Sequence, residues 1–502
     1  MTELAAATPT RPSDPTVRVT LRTGSRLWHD VVAHILEDGA SGGAGALLCG
    51  VVERDGRTTL LARAFVPAVD SVDHVRGTVG HHALTPKFVR RVLSRARSRR
   101  LVPLFVHGHG GHGRVEFSPT DMWSHERGYP ALVDIAGQSV GALVLAGGAA
   151  AGDVWLADGR RAPLAATVVV GPNITRILPR PEIAAAHRPE DDRQARLFGD
   201  EGQEILRRSK VGVIGAGGAG MLAVEYLSRL GVGWLVAVDA DRVAVTNLPR
   251  LPGATRLDAL AFLTCGSRPD WLRRLGERLS TPKVRIARRI ARNAGQGTRV
   301  TAVRAEVQTP AAAAALVDCD YIVLAADTAT ARYLANVLAH QYLIPMVQVG
   351  VKILVDDDGV VGDVFAVTRT VVPDGGCLRC AGLIDAARLA VESLPEAERR
   401  AADYGTGQPA PSVIALNAMA VSRAVAGLVL ALTGLVERAE PVHVRDHARR
   451  QVTRTASVVA DPDCTVCGAN GVTSLGDLAP LPTSRRRPTR PPRRPTQSAL
   501  DP

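Results

Sequence analysis

Aromatic residues are scarce in this sequence, since tryptophan, tyrosine and phenylalanine together make up 4% of its 502 residues. Apolar residues as a whole reach 46% and charged residues 22%, a balance that is ordinary for a soluble folded protein. A chain of this length is too long for a single hydrophobic core, so two or three domains are expected.

The sequence also lacks a long uninterrupted apolar run. Its most apolar window, Val413–Leu435, contains Asn417, Ser422 and Arg423, which fits a buried helix better than a membrane span. The first residues, MTELAAATPTRPSDP, have no cationic start followed by an apolar block, so no secretory signal is indicated. We expect a cytoplasmic protein with no membrane partner.

Cysteine is rare as well, and the seven cysteines of a cytoplasmic chain are expected to be thiols or metal ligands rather than disulfides. Four of them form the pairs CLRC (Cys377, Cys380) and CTVC (Cys464, Cys467). Each pair can present two thiolates to one tetrahedral ion, so the pattern predicts a closed structural Zn²⁺ site. Four unrelated free thiols are the alternative.

The net charge of +12 raises the possibility of a nucleic-acid partner. However, Thr483–Pro502 alone contains six arginines and one aspartate. Its Pro/Arg-rich composition cannot build a core, so residues 474–502 are expected to form a disordered tail. A solvated tail is favoured over a nucleic-acid or acidic-membrane contact.

Two kinds of pattern divide the rest of the chain. After a flexible N-terminus at 1–25, residues 26–165 mix strand-like runs such as GALLCGVV and VGALVLAG with a basic helical segment, Pro86–Arg99, which predicts an α+β domain with a mostly antiparallel sheet. Prolines between 166 and 192 indicate a linker. Residues 193–473 alternate strand and helix, starting with KVGVIG, AGMLAVEYLSRLG and WLVAVD, which predicts an α/β domain with a doubly wound, mainly parallel sheet.

The stretch KVGVIGAGGAG carries a glycine loop between a predicted strand and a predicted helix. Gly215, Gly217 and Gly220 form GxGxxG, with Gly218 beside them. Backbone amides and the helix N-terminus can receive phosphate here because no side chain obstructs the approach. Nicotinamide, flavin and ATP enzymes share this loop, and they also share a ribose-binding carboxylate such as Asp239 at the end of the second strand.

Residues after the second strand separate these classes. VDADRVAVTNLPR contains Asp241, Asn247 and Arg250, TPKV contains Lys283, and LAADTATAR places Asp327 at a strand end. An ATP-using adenylyltransferase needs cations to neutralise the triphosphate as pyrophosphate leaves, and a carboxylate to hold Mg²⁺. A nicotinamide-dependent oxidoreductase needs neither. A nucleotide-sensing scaffold without catalysis is the other alternative.

These segments, with RQARLFGDEGQEILRRSKV, resemble the ThiF/MoeB family, bacterial relatives of the ubiquitin-activating enzymes, over about Arg193 to Cys467. The resemblance implies a homodimer that uses ATP and Mg²⁺ to adenylate the C-terminal carboxylate of a small ubiquitin-like or sulfur-carrier protein. It also implies Zn²⁺ in the cysteine site. The implied roles are ribose binding for Asp239, phosphate contact for Asn247, Arg250 and Lys283, Mg²⁺ binding for Asp327, and an arginine finger reaching the partner subunit for Arg193.

The sequence departs from this family in two places. Arg250 is followed by Leu251 where the family has glutamine, and an insertion separates Arg250 from Lys283. No cysteine lies between Cys380 and Cys464, where ubiquitin-activating enzymes carry their thioester-forming residue. Cys319, beside a predicted strand, is expected to be a core residue. Cys265, in the insertion, is the remaining candidate nucleophile. We predict adenylation without an obligatory enzyme thioester, with YGTGQPAPS (404–412) guiding the carrier tail.

A histidine cluster lies in the first domain, in VHGHGGHGRVEFSPTD. His107 and His109 alternate at a strand end, and Ser118 and Asp121 follow. Two histidines and an aspartate can bind Zn²⁺ and leave one position open for water. The pattern resembles the JAB/MPN (JAMM) metalloprotease signature, whose members cut ubiquitin-like tags, over about residues 26–150.

The spacing from His109 to Ser118 is one residue longer than in that family. Gly43 occupies the position of the family's catalytic glutamate, and Glu37, which lies nearby, does not align with that position. Without a base the metal-bound water loses its proton acceptor. We expect a zinc-binding domain of weak or absent isopeptidase activity, which Gly43→Glu should raise. An active isopeptidase and a metal-free surface loop are the alternatives.

Overall fold

A computed structural model of the protein describes residues 18–36, 43–54, 56–75, 83–180, 185–356, 358–394, 411–437 and 443–484. Most of the N-terminal segment 1–25 and the end of the expected tail lie outside these ranges. The described residues form two eight-stranded sheets, one in each half of the chain.

The first sheet closes into a barrel. Its strands run in the order β1-β3-β2-β4-β5-β6-β7-β8, and a further pairing of β1 with β7 joins the first seven into a ring. Most neighbours are antiparallel, but β1–β3, β1–β7 and β4–β5 are parallel. The strands are β1 Arg18–Gly24, β2 Ala44–Arg54, β3 Arg57–Pro67, β4 Val102–His112, β5 Val140–Gly147, β6 Ala149–Trp155, β7 Arg161–Val170 and β8 Ile174–Ile177.

Helices pack against both sides of this barrel. Helix α1 (Ser25–Leu36) contacts strands all around the ring and buries Trp28, Val31 and Ile35, so it lies against the interior. Helices α2 (Pro86–Arg99) and α3 (Pro119–Ala136) pack in a separate core on the outer side, and a short helix spans Asp70–Asp73. The α+β prediction therefore describes the content of this half, whereas the closed ring differs from the expected sheet.

Part of the stretch expected to be a linker, 166–192, is strand. The end of β7 pairs with both β1 and β8, because Val168–Val170 is a β-branched run that the nearby prolines do not interrupt. The remainder contains a 3₁₀ turn at Pro189–Asp191.

The second sheet has the order β11-β10-β9-β12-β13-β14-β15-β16. It is parallel from β11 to β13, which confirms the predicted parallel strands, and antiparallel from β13 to β16. The strands are β9 Lys210–Ile214, β10 Trp234–Val238, β11 Arg299–Val303, β12 Tyr321–Leu324, β13 Met346–Val355, β14 Val361–Val371, β15 His443–His447 and β16 Val452–Ala456.

Helices cover both faces of this sheet, as a doubly wound fold requires. One face carries α5, α7 and α10, and the other carries α8. The helices are α4 Asp192–Arg208, α5 Gly218–Arg229, α6 Asp270–Leu279, α7 Lys283–Ala294, α8 Ala329–Gln341, α9 Ala386–Glu392 and α10 Ile414–Leu432, with short turns at Val245–Asn247, Ala261–Thr264 and Pro310–Ala314.

Helix α10 is the one helix among the described residues that is long and apolar enough to cross a membrane. Its Val421, Val425 and Leu428 are buried in the core that also contains α5 and the sheet. It packs as a core helix, as its polar interruptions predicted.

The barrel is joined to the second sheet by polar contacts and by the C-terminal chain. Asp374 accepts hydrogen bonds from the Ser25 hydroxyl and the Arg26 amide, both at 2.9 Å. The segment 474–484 runs between α8 and the barrel, where Gln341 Nε2 donates to Gly476 O at 2.8 Å and Gly476 bridges to Val51. The expected disordered tail is therefore ordered in its first residues, because it packs apolar side chains such as Leu478 against the barrel core.

Candidate nucleotide and metal sites

The glycine loop connects β9 to the N-terminus of α5, as predicted. Gly215 has φ +89°, a conformation that side chains disfavour, and a Cβ at Gly220 would overlap the Gly215 carbonyl oxygen. Gly217 is the N-cap residue of α5 and faces open space. The loop therefore presents the free amides of a helix N-terminus to an approaching anion.

Asp239 ties this loop to the chain that follows β10. Its Oδ2 accepts a hydrogen bond from the Ala216 amide, and its Oδ1 accepts one from the Asp241 amide, both at 2.7 Å. Burial raises the pKa of Asp239, and the nearby Lys283 ammonium opposes that rise. The carboxylate is thus held at the end of β10, where a ribose bound to the loop would meet it.

Lys283 and Asp241 form the next part of the cleft. Lys283 begins α7 with a largely buried side chain, and its Nζ lies 2.7 Å from Asp241 Oδ2. Its amide also donates to Asp241 O at 3.0 Å. The ammonium is therefore positioned by a carboxylate that an incoming phosphate can replace.

Asn247 and Arg250 lie on the turn that follows. The Asn247 side-chain oxygen accepts a hydrogen bond from the Ala244 amide at 3.1 Å, which fixes the 3₁₀ turn. Arg250 donates to Thr246 O at 3.0 Å, and its backbone oxygen lies against Gly218 at the start of α5. The structure therefore brings Arg250 to the glycine loop.

Asp327 lies just beyond β12, the strand that pairs with β9. Ala325 and Ala326 contact Gly215, so Asp327, which is exposed, is at the same sheet edge as the loop. Arg388 of α9 donates to the Asp327 carbonyl oxygen at 3.5 Å. Of the predicted crossover, 404–410 lies outside the described residues.

Two residues that were not predicted as site residues also lie here. Asn417 of α10 is buried, and its amide nitrogen is the atom that a side chain at Gly218 would meet first. Arg332 of α8 has an Nε without a hydrogen-bond partner in the described part of the chain, and burial lowers its pKa while Asp327 opposes the shift. The signals were a polar residue within an apolar helix and the arginine of LAADTATAR.

Arg193 is apart from this group. It lies exposed in the first turn of α4 and, among the described residues, forms no hydrogen bond or ion pair with any other candidate. A function for it at this site would require a second chain.

The four predicted cysteines converge. Their sulfurs lie within 4.8 Å of one another, with Cys377–Cys380 at 3.6 Å, Cys377–Cys464 at 3.7 Å and Cys380–Cys467 at 3.4 Å. A tetrahedron with Zn–S bonds of about 2.3 Å has sulfurs about 3.8 Å apart, so the geometry fits Zn²⁺. A hydrogen bond from the Cys467 thiol outweighs burial and lowers the pKa of the Cys377 thiol.

The histidine cluster converges as well. His109 Nε2 lies 3.2 Å from His107 Nε2 and 3.2 Å from Asp121 Oδ2, and His107 Nε2 lies 3.5 Å from Asp121 Oδ1. These separations fit a tetrahedral ion with bonds of about 2.0–2.1 Å. Ser118 is the N-cap of α3 and donates to Asp121 Oδ2 at 2.6 Å, so it orients the carboxylate.

Gly43 lies beside the histidine cluster at a position that leaves little room for a side chain. Its neighbour Ala44 pairs with His107, so the position is close to the histidines. However, a Cβ at Gly43 would overlap the His34 carbonyl oxygen at the end of α1. Gly43→Glu would therefore displace the end of α1, which opposes the gain in activity that we expect from the sequence. Glu37 lies outside the described residues.

The other two cysteines differ in environment. Cys319 is in the core, as predicted, and burial raises its pKa. Cys265 is exposed, with its sulfur 3.3 Å from the Ser267 hydroxyl, whose hydrogen bond lowers the pKa of the thiol.

Known proteins match the half of the chain that contains the glycine loop. The ThiF family model matches residues 191–465. The SAMP-activating enzyme E1 of Haloferax volcanii is 29% identical over 286 residues, which cover 56% of this chain and 88% of that enzyme. The sulfur carrier protein adenylyltransferase of Thermus thermophilus is 34% identical over 138 residues, covering 28% of this chain and 44% of the relative. Among solved structures, E. coli MccB aligns with a TM-score of 0.42 at 16% identity, over 56% of this chain and 75% of MccB.

Proposed function

The chain belongs to the ThiF family of adenylyltransferases, and we propose that it activates the C-terminal carboxylate of a small ubiquitin-like or sulfur-carrier protein. The observation that carries this proposal is the convergence of the glycine loop with Asp239 and the Asp241–Lys283 pair. The Haloferax and Thermus relatives, whose names specify SAMP activation and sulfur-carrier adenylylation, support the substrate class.

In the proposed reaction an oxygen of the carrier carboxylate forms a bond to the α-phosphorus of ATP. The bond from that phosphorus to the bridging oxygen breaks, and pyrophosphate leaves with the electron pair. The loop amides hold the phosphates, and Asp239 holds the ribose. Lys283 and Arg250 neutralise the charge that grows on the leaving group.

Asp327 would hold Mg²⁺, which when bound polarises the phosphoryl oxygens. Helix α9 supports this position, because Glu392 accepts hydrogen bonds from the amides of Ala329 (3.0 Å) and Thr330 (2.8 Å) at the start of α8. The chain entering the crossover is thereby attached next to Asp327, where a carrier tail would have to arrive.

We propose a homodimer in which Arg193 of one subunit completes the cleft of the other. An arginine that contacts only the leaving pyrophosphate stabilises the transition state more than the ground state. The exposed position of Arg193 supports this assignment.

ATP–pyrophosphate exchange in the presence of purified candidate carriers tests the function. We expect exchange that requires a carrier with a free C-terminal carboxylate and that disappears when this terminus is amidated. ATP binding without exchange, across a set of carriers, would instead support the nucleotide-sensing scaffold. Turnover of a nicotinamide cofactor would support the oxidoreductase.

For the barrel we propose a JAB/MPN-like zinc site that binds the metal but cleaves conjugates slowly or not at all. The full chain should contain about two zinc equivalents, one at the cysteines and one at the histidines. His107→Gln/His109→Gln should remove one of them, while His112→Gln, an exposed histidine outside the cluster, should remove none. A single equivalent in the unmodified chain, or brisk conjugate cleavage by it, would contradict this assignment.

A further inference from the structure

Positive charge is concentrated in one part of the second domain. Between Arg242 and Arg304 the sequence has fourteen lysines and arginines but only three carboxylates. This segment folds into α6, α7 and the edge strand β11. The proposed reaction uses two of these cations, Arg250 and Lys283, and leaves the others without a role.

Four of the unused arginines line one cavity. It has a volume of about 330 Å³ and lies between α7, the end of β11 and the loop after β10. The arginines are Arg242, Arg285, Arg288 and Arg304, and the wall is completed by smaller and apolar side chains, with no carboxylate among them.

Among the residues that the structure describes, these four guanidinium groups have no counter-ion. In the described ranges, no carboxylate lies within 4.0 Å of any of them, whereas Arg289 on the same helix pairs with Asp258 at 2.6 Å. Backbone oxygens orient two of the four: Arg242 donates to Ser280 O, and Arg288 donates to Val300 O at 3.3 Å. Burial lowers the pKa of Arg242, and repulsion from Arg304 and Arg285, which an anion would relieve, adds to the shift.

The cavity is separate from the nucleotide cleft. Arg242 and Pro282 form an antiparallel bridge, flanked by hydrogen bonds from Val243 N to Thr281 O (2.9 Å) and from Lys283 N to Asp241 O (3.0 Å). Arg242 lines the cavity, whereas Asp241 and Lys283 pair with each other and are not part of its wall.

We propose that this cavity binds the di- or triphosphate group of a small ligand other than the ATP consumed in the reaction. Guanidinium groups match phosphate oxygens in charge and geometry. Four of them around one small cavity suit a group with several negative charges close together. A nucleic-acid strand presents one charge per phosphate, so it would place about one charge in a cavity of this size.

The test is titration of the full-length protein with inorganic tripolyphosphate by calorimetry. The nucleotide cleft is first filled with a non-hydrolysable ATP analogue, and free Mg²⁺ is held constant. We expect one equivalent of tripolyphosphate to bind without displacing the analogue. Arg285→Gln/Arg288→Gln should weaken this binding at least about tenfold, because each lost charge-assisted hydrogen bond contributes that much or more.

Arg274→Gln/Arg278→Gln is the matched control, since both residues are exposed on α6, next in the chain, and outside the cavity. It should change the affinity by less than about twofold. Arg304→Gln tests the opposite wall and should also weaken binding. Absence of binding beside the ATP analogue, or equal weakening by the control pair, would overturn the proposal. Because the readout is binding, the result is independent of carrier adenylation.

Discussion

Asp327→Ala protein should lose ATP–pyrophosphate exchange by at least about 10²–10³-fold, with an unchanged melting temperature. The carboxylate lies just beyond β12, at the sheet edge that carries the glycine loop, and is the group that we propose holds Mg²⁺. Its side chain is exposed, so its removal creates no cavity and breaks no buried pair. Exchange is measured with saturating ATP and carrier, and folding by thermal melting.

Asp270→Ala is the control for this result, because Asp270 is an exposed carboxylate on α6 whose partner, Arg273, is also outside the cleft. It should exchange at the unmodified rate. Exchange by Asp327→Ala within a fewfold of that rate would remove Asp327 from the site.

The same variant tests the proposed dimer. Arg193→Ala protein should also be defective in ATP–pyrophosphate exchange. Mixing it with Asp327→Ala protein should restore part of the activity if Arg193 of each subunit acts in the cleft of its partner. In a mixed dimer, one of the two clefts then has both residues intact. Dimers shown to be mixed that recover nothing would contradict a shared site.

The second large effect is expected at the four cysteines. Cys377→Ala or Cys464→Ala should reduce the zinc content by about one equivalent and unfold the second domain at a much lower temperature. Structural Zn²⁺ contributes an apparent free energy of about 10–16 kcal/mol in small zinc domains, which exceeds the net stability of most folds. Metal analysis and thermal melting measure the two outcomes.

The loss should also extend to the barrel. The chain leaving Cys467 continues into the segment 474–484, which Gln341 holds through Gly476 O (2.8 Å) and Ala479 O (2.7 Å). Cys265→Ser, at an exposed thiol outside the cluster, should retain both zinc and stability. A metal-free Cys377→Ala protein that melts like the unmodified chain would show that the cysteines do not bind a structural ion.

Several parts of this molecule could be predicted from short stretches of sequence because their causes are local. A tight turn from a strand into a helix requires glycines such as Gly215 and Gly220. The stretch KVGVIGAGGAG is therefore enough to predict the conformation of this loop. The spacing of the two CxxC pairs is likewise enough to predict a metal site, and the structure brings all four sulfurs together. The strands β9, β10 and β12 could be predicted because each is a short apolar run of about five residues, a pattern that indicates a buried strand without knowledge of its neighbours.

Other features depend on contacts between residues far apart in the chain, and these could not be predicted. The barrel closes because β1 pairs with β7, and that choice depends on register and on α1 filling the interior. From the sequence, Gly43 was expected to replace a catalytic glutamate. In the structure, a glycine is needed at this position because the His34 carbonyl oxygen is packed against it. Asn417 and Arg332 reach the cleft only because α10 and α8 pack on opposite faces of one sheet edge.

The sequence by itself determined the class of chemistry, because phosphate-binding glycines, paired thiols and charged residues at strand ends act through their own functional groups. Only the tertiary structure decided which arginines have no carboxylate partner among the residues that it describes. Arg289 and Arg288 are adjacent in sequence, yet the first meets Asp258 and the second lines an uncompensated cavity. The physical reason is that a charge interacts with whatever the folded chain places within a few ångströms of it, and adjacent residues on a helix face different surroundings.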